Sequence, residues 1–337
     1  MASIETFTLR DVGPEGGLDQ AEMVAGRIVD FIGQAERSLV LALYDVRLPD
    51  PVGSTVAGAF RAAAERGVKI RLAYNDVPED PDAGNFLPAV HPPPETNPEI
   101  LAELPIETAP IKGIPDLMHH KYMVRDENAV WTGSANWSVY SWTRQENALA
   151  GIDHGEGARE DLGDFEALWS TRKVERSGHG DPNPIPGGAG TVRARVTPPV
   201  LTSGPILSTL AEIAARPGLD IAGVLDEPQT DRVYEQWATT GSKWKIPLLT
   251  RVVETLPFNG KRSVPWGTGT VRDFMHAKVT VVDDTVFLGS FNLSRSGEAN
   301  AENMIEIEHA PTAEAMAAFI DETRARYPRS TVPDRRR

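Results

Sequence analysis

The chain has 337 residues, 40% of them hydrophobic and 24% charged, which supports a sizeable buried core and excludes a chain disordered throughout. It contains no Cys, so a disulfide framework, a thiolate metal site and a cysteine nucleophile are excluded. With 48 acidic against 34 basic side chains and a net charge of -14, a protein that holds nucleic acid on a broad basic face is disfavoured, although a local basic cleft is not.

The N-terminal string MASIETFTLRD has no basic region followed by an apolar run, so no secretory signal is visible and a cytoplasmic location is expected. No stretch reaches the roughly 18 apolar residues that a membrane-spanning helix needs. Amphipathic periodicity predicts a helix over Leu18 to Gln34, a strand over Ser38 to Tyr44, a helix over Ser54 to Arg66 stopped by Gly67, and a strand over Val68 to Tyr74. A Pro-rich excursion follows over residues 77–98. Strands are expected around Lys121 and Trp131, then a helix from Asp161 to Arg172 with Phe165, Leu168 and Trp169 on one face.

Residues 176–191 are dense in Gly, Pro and Asp and read as a linker. Beyond it the order recurs: strand Val192 to Val196, helix Pro205 to Ala215, strand Leu219 to Leu225, strands around Val281 and Phe287, and a last helix Ala313 to Arg326. The expectation is an α/β chain in two units, 1–175 and 192–327, with a solvated basic tail over 328–337.

The recurrence carries chemistry. His119, Lys121 and Asp126 recur as His276, Lys278 and Asp283, each 157 residues later; Gly133, Ser134, Asn136, Glu146 and Asn147 recur as Gly289, Ser290, Asn292, Glu302 and Asn303, each 156 later. The lost residue falls between two β-rich runs, where a hairpin turn absorbs it. Period-two alternation puts His119 and Lys121 on one strand face and Ser134 and Asn136 on one face of the return strand, with the same expected in the second copy. Asp126, and Asp283 with it, falls out of phase and is expected to point away or to sit in the turn, where a carboxylate accepts from backbone N–H groups.

This doubled pattern, H-x-K-x4-D followed by G-S-x-N, resembles the phospholipase D superfamily, named HKD after its residues. The resemblance implies an α/β sandwich of two pseudo-symmetric halves, one active site at their interface, and catalysis through a phosphohistidine without a metal or other cofactor. It implies a phosphate site built from Lys121, Lys278, Ser134, Asn136, Ser290 and Asn292, and gives both Glu146 and Glu302 the catalytic role of a carboxylate on the outer imidazole nitrogen. Similarity to bacterial members points to His119 as nucleophile and His276 as acid, and pseudo-symmetry leaves the reverse assignment standing. The residues themselves agree: a phosphodiester needs a nucleophile, a proton donor and groups that meet charge at phosphorus.

The remaining histidines, His91, His154, His179 and His309, read as structural, and His120, facing away from His119, as a packing residue. Trp131, Trp137, Tyr140 and Trp142 read as core, and the sequon-like strings at Asn136 and Asn292 as accidental, because both Asn belong to the motif. The expected partner is a phosphodiester, with phospholipid ranked before nucleic acid on charge, and the chain is expected to act as a monomer. A catalytically silent binding module of the same fold is the third reading.

Overall fold

Helical and extended periodicities that alternate along the sequence become two sheets in the computed structural model, which describes residues 3–13, 17–76, 104–113, 116–174, 193–214, 216–265 and 271–333. The first sheet holds β1 (Ser3–Leu9), β2 (Ser38–Leu43), β4 (Lys69–Asp76), β5 (Glu107–Lys112), β6 (Lys121–Arg125), β7 (Ala129–Gly133) and β9 (Asn147–Asp153). Their spatial order is β1-β9-β7-β6-β2-β4-β5, and β3 (Val46–Arg47) and β8 (Trp137–Ser138) form a separate ribbon. The second sheet holds β10 (Arg193–Thr197), β11 (Asp220–Asp226), β12 (Phe258–Lys261), β13 (Val279–Val282), β14 (Thr285–Gly289) and β15 (Met304–Glu308), in the order β12-β11-β10-β13-β14-β15.

Read from its other edge, the first sheet is the second with β1 added. In both, three parallel strands adjoin three antiparallel ones. A parallel pair needs a crossover; α2 (Val52–Glu65) joins β2 to β4, and α5 (Gly204–Ile213) joins β10 to β11. The helices α4 (Gly155–Thr171) and α8 (Ala310–Arg326) follow the last strand of each sheet. His154 accepts from the Gly157 N–H at the start of α4, and His309 Nδ1 lies 2.8 Å from the Thr312 hydroxyl at the start of α8. The first half adds α1 (Gly17–Gly33) and α3 (Val139–Thr143), and the second adds α6 (Glu227–Ala238) and α7 (Ile246–Thr255) between β11 and β12.

Asp126 and Asp283 occupy the hairpin turns with φ of 53° and 50°. The Asp126 carboxylate accepts from the N–H groups of Glu36, Arg37 and Ser38, each at 2.8 Å, and Asp283 accepts from Arg193 N–H at 2.9 Å. Each turn is thereby tied to the start of the parallel strand beside its hairpin, β2 or β10, which fixes the height of the motif strand in the sheet.

Four expectations need correction or placement. The helix read from Asp161 starts at Gly155, because its first turn, Gly-Glu-Gly, carries no apolar signal and is held by the His154 cap. The tail is no solvated end over 328–333: Arg329 donates to the carbonyls of Val253, Glu254 and Leu256, and Ser330 donates to Glu227. The Pro-rich excursion, the linker, His91, His179 and residues 334–337 lie outside the described residues. Trp131, Trp137 and Trp142 are buried in the first core with α1 and α2, whereas Tyr140, expected with them, is exposed.

The halves meet along their motif strands. Met118 bridges Ala301 and Glu146 bridges Met275, both in parallel sense. Ala148 and Ala150 of β9 pack with Met275, Ala277 and Val279 in a core shared by both halves. Among the described residues no helix is long and apolar enough to cross a membrane.

Candidate active site

The motif residues gather where the two halves exchange backbone hydrogen bonds. His119 N–H donates to Ala301 O at 2.8 Å, and His276 N–H donates to Glu146 O at 3.2 Å. Each imidazole therefore begins beside the opposite half. Each is also hung from its own sheet: Asn75 at the end of β4 accepts from Met118 N–H at 2.9 Å, and Asp226 at the end of β11 accepts from Met275 N–H at 3.0 Å. The site thus lies at the carboxyl ends of the parallel strands, the usual place for a ligand crevice in a twisted α/β sheet.

The G-S step explains itself sterically. Gly133 has φ 154°, and a Cβ there would lie 2.4 Å from Ala148 O; at Gly289 it would lie 2.1 Å from Asn303 O. The serine that follows turns inward, so Ser134 Oγ accepts from Ala148 N–H and Ser290 Oγ from Asn303 N–H, both at 3.0 Å. Their hydroxyl protons go to Asn147 Oδ1 at 2.8 Å and to Glu302 Oε2 at 2.6 Å. Both hydroxyls, expected on phosphate, are committed inside the protein and orient the residues that orient the imidazoles.

Those orienting residues are unlike. His119 Nδ1 lies 2.9 Å from Glu302 Oε2, while His276 Nδ1 lies 3.1 Å from Asn147 Oδ1. Glu302 answers to the expected carboxylate, and Glu146 does not. Glu146 is wholly buried away from the imidazoles, 2.8 Å from Lys261 Nζ and hydrogen-bonded to the Tyr327 hydroxyl. The reason is register: Gly133 pairs with Leu149 and Gly289 with Met304, so the sheets align at an offset one residue shorter than the E-N strings suggest. That shift puts Asn147 opposite Glu302.

The family profile described as cardiolipin synthase, PLD-like domain, matches residues 28–169 and 191–324, covering both motif copies. The chain belongs to the phospholipase D superfamily. No curated protein matches it. Among solved structures, phosphatidylserine synthase from Haemophilus influenzae Rd KW20 aligns over 95% of this chain and 86% of its own, at 13% identity and TM-score 0.60. Polyphosphate kinase from Porphyromonas gingivalis aligns over 93% of this chain and 49% of its own, at 10% identity and TM-score 0.52. NucT from Helicobacter pylori aligns over 51% of this chain and 98% of its own, at 20% identity and TM-score 0.38. At these identities the first two likenesses speak to the fold alone.

In this phospholipase D-like site the two motif lysines are almost wholly buried. Burial lowers the Lys121 ammonium to about 7 against the opposing pull of Glu302 and Asp45, and burial together with Lys121 lowers Lys278 well below its ordinary value. Burial likewise pushes the Glu302 carboxyl up to about 7, with Lys121, Ser290 and Asn300 holding it back. Lys121 Nζ donates to His119 O at 2.6 Å, and Lys278 Nζ to His276 O at 2.9 Å. Asn136 and Asn292 are half-buried, and Asn136 Oδ1 is sealed with no hydrogen-bond partner among the described residues. His120 turns away, as its parity requires, with Nε2 at 2.9 Å from Asp164 Oδ2.

Sequence reasoning missed Asn147, Asn75 and Asp226, and also Tyr44 and Asp45 at the end of β2. The Tyr44 ring packs edge-on against His119 at 4.8 Å, and Lys121 Nζ lies 5.1 Å from its centroid. Asp45 is 5% exposed, its Oδ1 has no hydrogen-bond partner among the described residues, and burial pushes its carboxyl up to about 6 against Arg272, Lys121 and Arg47. The doubling of the H-x-K signal drew attention from β2, whose end has no matching counterpart: Pro199 and Val200 stand at those places.

Proposed function

We propose that the chain is a phospholipase D-type phosphodiesterase that cleaves a phosphodiester, with phospholipid as the first substrate class, through a covalent phosphohistidine on His119. The superfamily acts on phosphodiesters, and the reading within it rests on the unlike partners of the two imidazoles.

His119 shares its Nδ1 with a carboxylate, Glu302. When its Nε2 attacks phosphorus the ring becomes cationic, and a carboxylate on the far nitrogen stabilises that cation. His276 shares its Nδ1 with a neutral amide, Asn147. An amide oxygen holds the ring tautomer without holding its proton, which suits a general acid that must release Nε2–H to the leaving oxygen. Lys121 meets the non-bridging oxygens as a desolvated cation, where charge is worth more than in water. Water, or an alcohol in its place, then attacks the phosphohistidine with His276 as base.

Phospholipid precedes nucleic acid because of the -14 net charge. A nuclease would meet repulsion at each phosphate outside the cleft. The test compares wild type with His119→Ala on a chromogenic phosphodiester, then head-group release from phosphatidylcholine micelles with nicking of plasmid DNA at two salt concentrations. Turnover lost in His119→Ala, and lipid cleavage exceeding DNA cleavage, is the expected result. DNA nicking without lipid cleavage overturns the substrate ranking, and failure on every phosphodiester leaves a binding module.

A further inference from the structure

The two lysines hold equivalent places in the repeat and unequal places in the chemistry. The inequality starts from Asn147. Its Nδ2 donates to Ser141 O at 2.9 Å, which turns Oδ1 toward the Ser134 hydroxyl and His276 Nδ1. An amide oxygen can only accept, so His276 Nδ1 carries hydrogen. It is then His276 Nε2, the nitrogen facing the reaction, that meets Lys278 Nζ at 3.1 Å. One proton lies between those two nitrogens.

Lys121 is placed differently. It faces the carboxyls of Glu302 and Asp45, lies 5.1 Å from the Tyr44 ring centroid, and bonds the His119 carbonyl. At the place of Asp45 the second half has Val200. Lys278 therefore faces His276, Lys121 and Glu302, and both burial and the second ammonium favour its giving up a proton.

We propose that Lys278 is the proton source and sink for His276, leaving Lys121 as the fixed cation of the phosphate site. The proposal rests on the phosphohistidine reaction above. In the first step His119 Nε2 forms an N–P bond as the P–O bond to the leaving oxygen breaks. The shared proton moves from the Lys278 ammonium to His276 Nε2 and from there to that oxygen, leaving a neutral imidazole and a neutral amine. In the second step the oxygen of water forms a P–O bond as the N–P bond breaks and its electron pair returns to His119. The proton from water passes to His276 Nε2 and on to Lys278, so the ammonium is restored and water is the sole co-reactant.

The relay separates the lysines by leaving group. A p-nitrophenolate departs without a proton, whereas an alkoxide needs one. Lys121→Met is expected to lose a similar factor in kcat/KM on a p-nitrophenyl phosphodiester and on an alkyl phosphodiester. Lys278→Met is expected to lose at least about tenfold more on the alkyl ester, within the roughly 10²–10⁴ that a positioned proton donor contributes. Lys278→Arg, which keeps the charge and cannot give up its proton, is expected to show the same split. Independently of turnover, the His276 ring followed by NMR should titrate at higher pH in Lys278→Met, because a neighbouring cation has gone. Equal losses on both esters for all three variants, or an unmoved His276 titration, overturn the relay. Wild type inactive on both esters would instead refute the reaction on which it rests.

Discussion

Glu302→Gln tests the division of labour between the imidazoles most directly. Glu302 Oε2 accepts from His119 Nδ1 at 2.9 Å and from the Ser290 hydroxyl at 2.6 Å, and Oε1 accepts from Asn300 Nδ2 at 3.2 Å. A glutamine oxygen can take the Oε2 place, as the Asn147 oxygen does at His276, so ring orientation survives and negative charge is lost. A hydrogen bond to a charged acceptor is worth about 1.5–3 kcal/mol and a neutral one about 0.5–1.5 kcal/mol. The carboxylate's attraction to the imidazolium adds up to about 4 kcal/mol at contact distance with an effective dielectric constant near 20. Discounting for their overlap, transition-state stabilisation should fall by about 2–4 kcal/mol, roughly 30- to 1,000-fold in rate. The assay is kcat/KM on a chromogenic phosphodiester at pH 8, above the value of about 7 to which burial pushes Glu302, with trapping of the phosphoenzyme by an alkaline denaturing quench. A loss under about threefold, or an equal loss in Glu146→Gln, would refute the reasoning.

Four further outcomes are expected. Glu146→Gln leaves Lys261 with one fewer countercharge in a wholly buried pair, so the melting temperature should fall, breaking such pairs costing about 3–5 kcal/mol, while the chromogenic rate per folded molecule stays within about threefold. Lys121 has its folded value depressed to about 7, so holding its ammonium costs stability below the ordinary value, increasingly as pH falls toward 7; Lys121→Met should resist denaturant better than wild type at pH 6, less so at pH 10, with turnover strongly reduced. Asp45→Asn removes a carboxylate that favours the Lys121 ammonium, so the alkaline limb of the pH–kcat/KM profile should move to lower pH. No group of three or more His, Cys, Asp or Glu among the described residues could hold a metal ion, so turnover should persist after chelator treatment; loss reversed by added Mg²⁺ or Zn²⁺ would contradict this.

The motifs were legible because their signal is local. His119 lies just ahead of the strand that Lys121 opens and Asp126 in the turn that closes it, a span short enough for extended alternation and turn chemistry to decide direction. The partner of each imidazole was not legible, because it depends on a pairing between strands. Ser134 reaches Asn147 thirteen residues on, whereas Ser290 reaches Glu302 in twelve. The strings Glu146-Asn147 and Glu302-Asn303 match perfectly while their backbones pair one residue out of step, and one residue exchanges the two faces of a strand. Glu146 looked catalytic for the same reason that Asn147 looked incidental. The docking of Arg329 was equally hidden: its acceptors are carbonyls at the end of α7, and no side-chain pattern announces a free carbonyl. Helix boundaries failed where a cap and not periodicity set them, as at Gly155.

A doubled fold presents a difficulty that the register shift resolves. Two imidazoles with identical partners would have identical proton affinities, and the reaction needs one without its proton at Nε2 while the other keeps it. Two carboxylates would favour two imidazoliums and leave no nucleophile. They would also overload the pocket with negative charge, since Lys121 and Lys278 as ammoniums offset just Glu302 and one phosphodiester anion. With Asn147 in place of a second carboxylate, the pocket carries one fewer buried negative charge, and burial of uncompensated charge is what such a site must avoid. The asymmetry costs no change in topology: the same six-stranded order serves both halves, and one residue of slip between Ser and its acceptor is enough to exchange an acid for an amide.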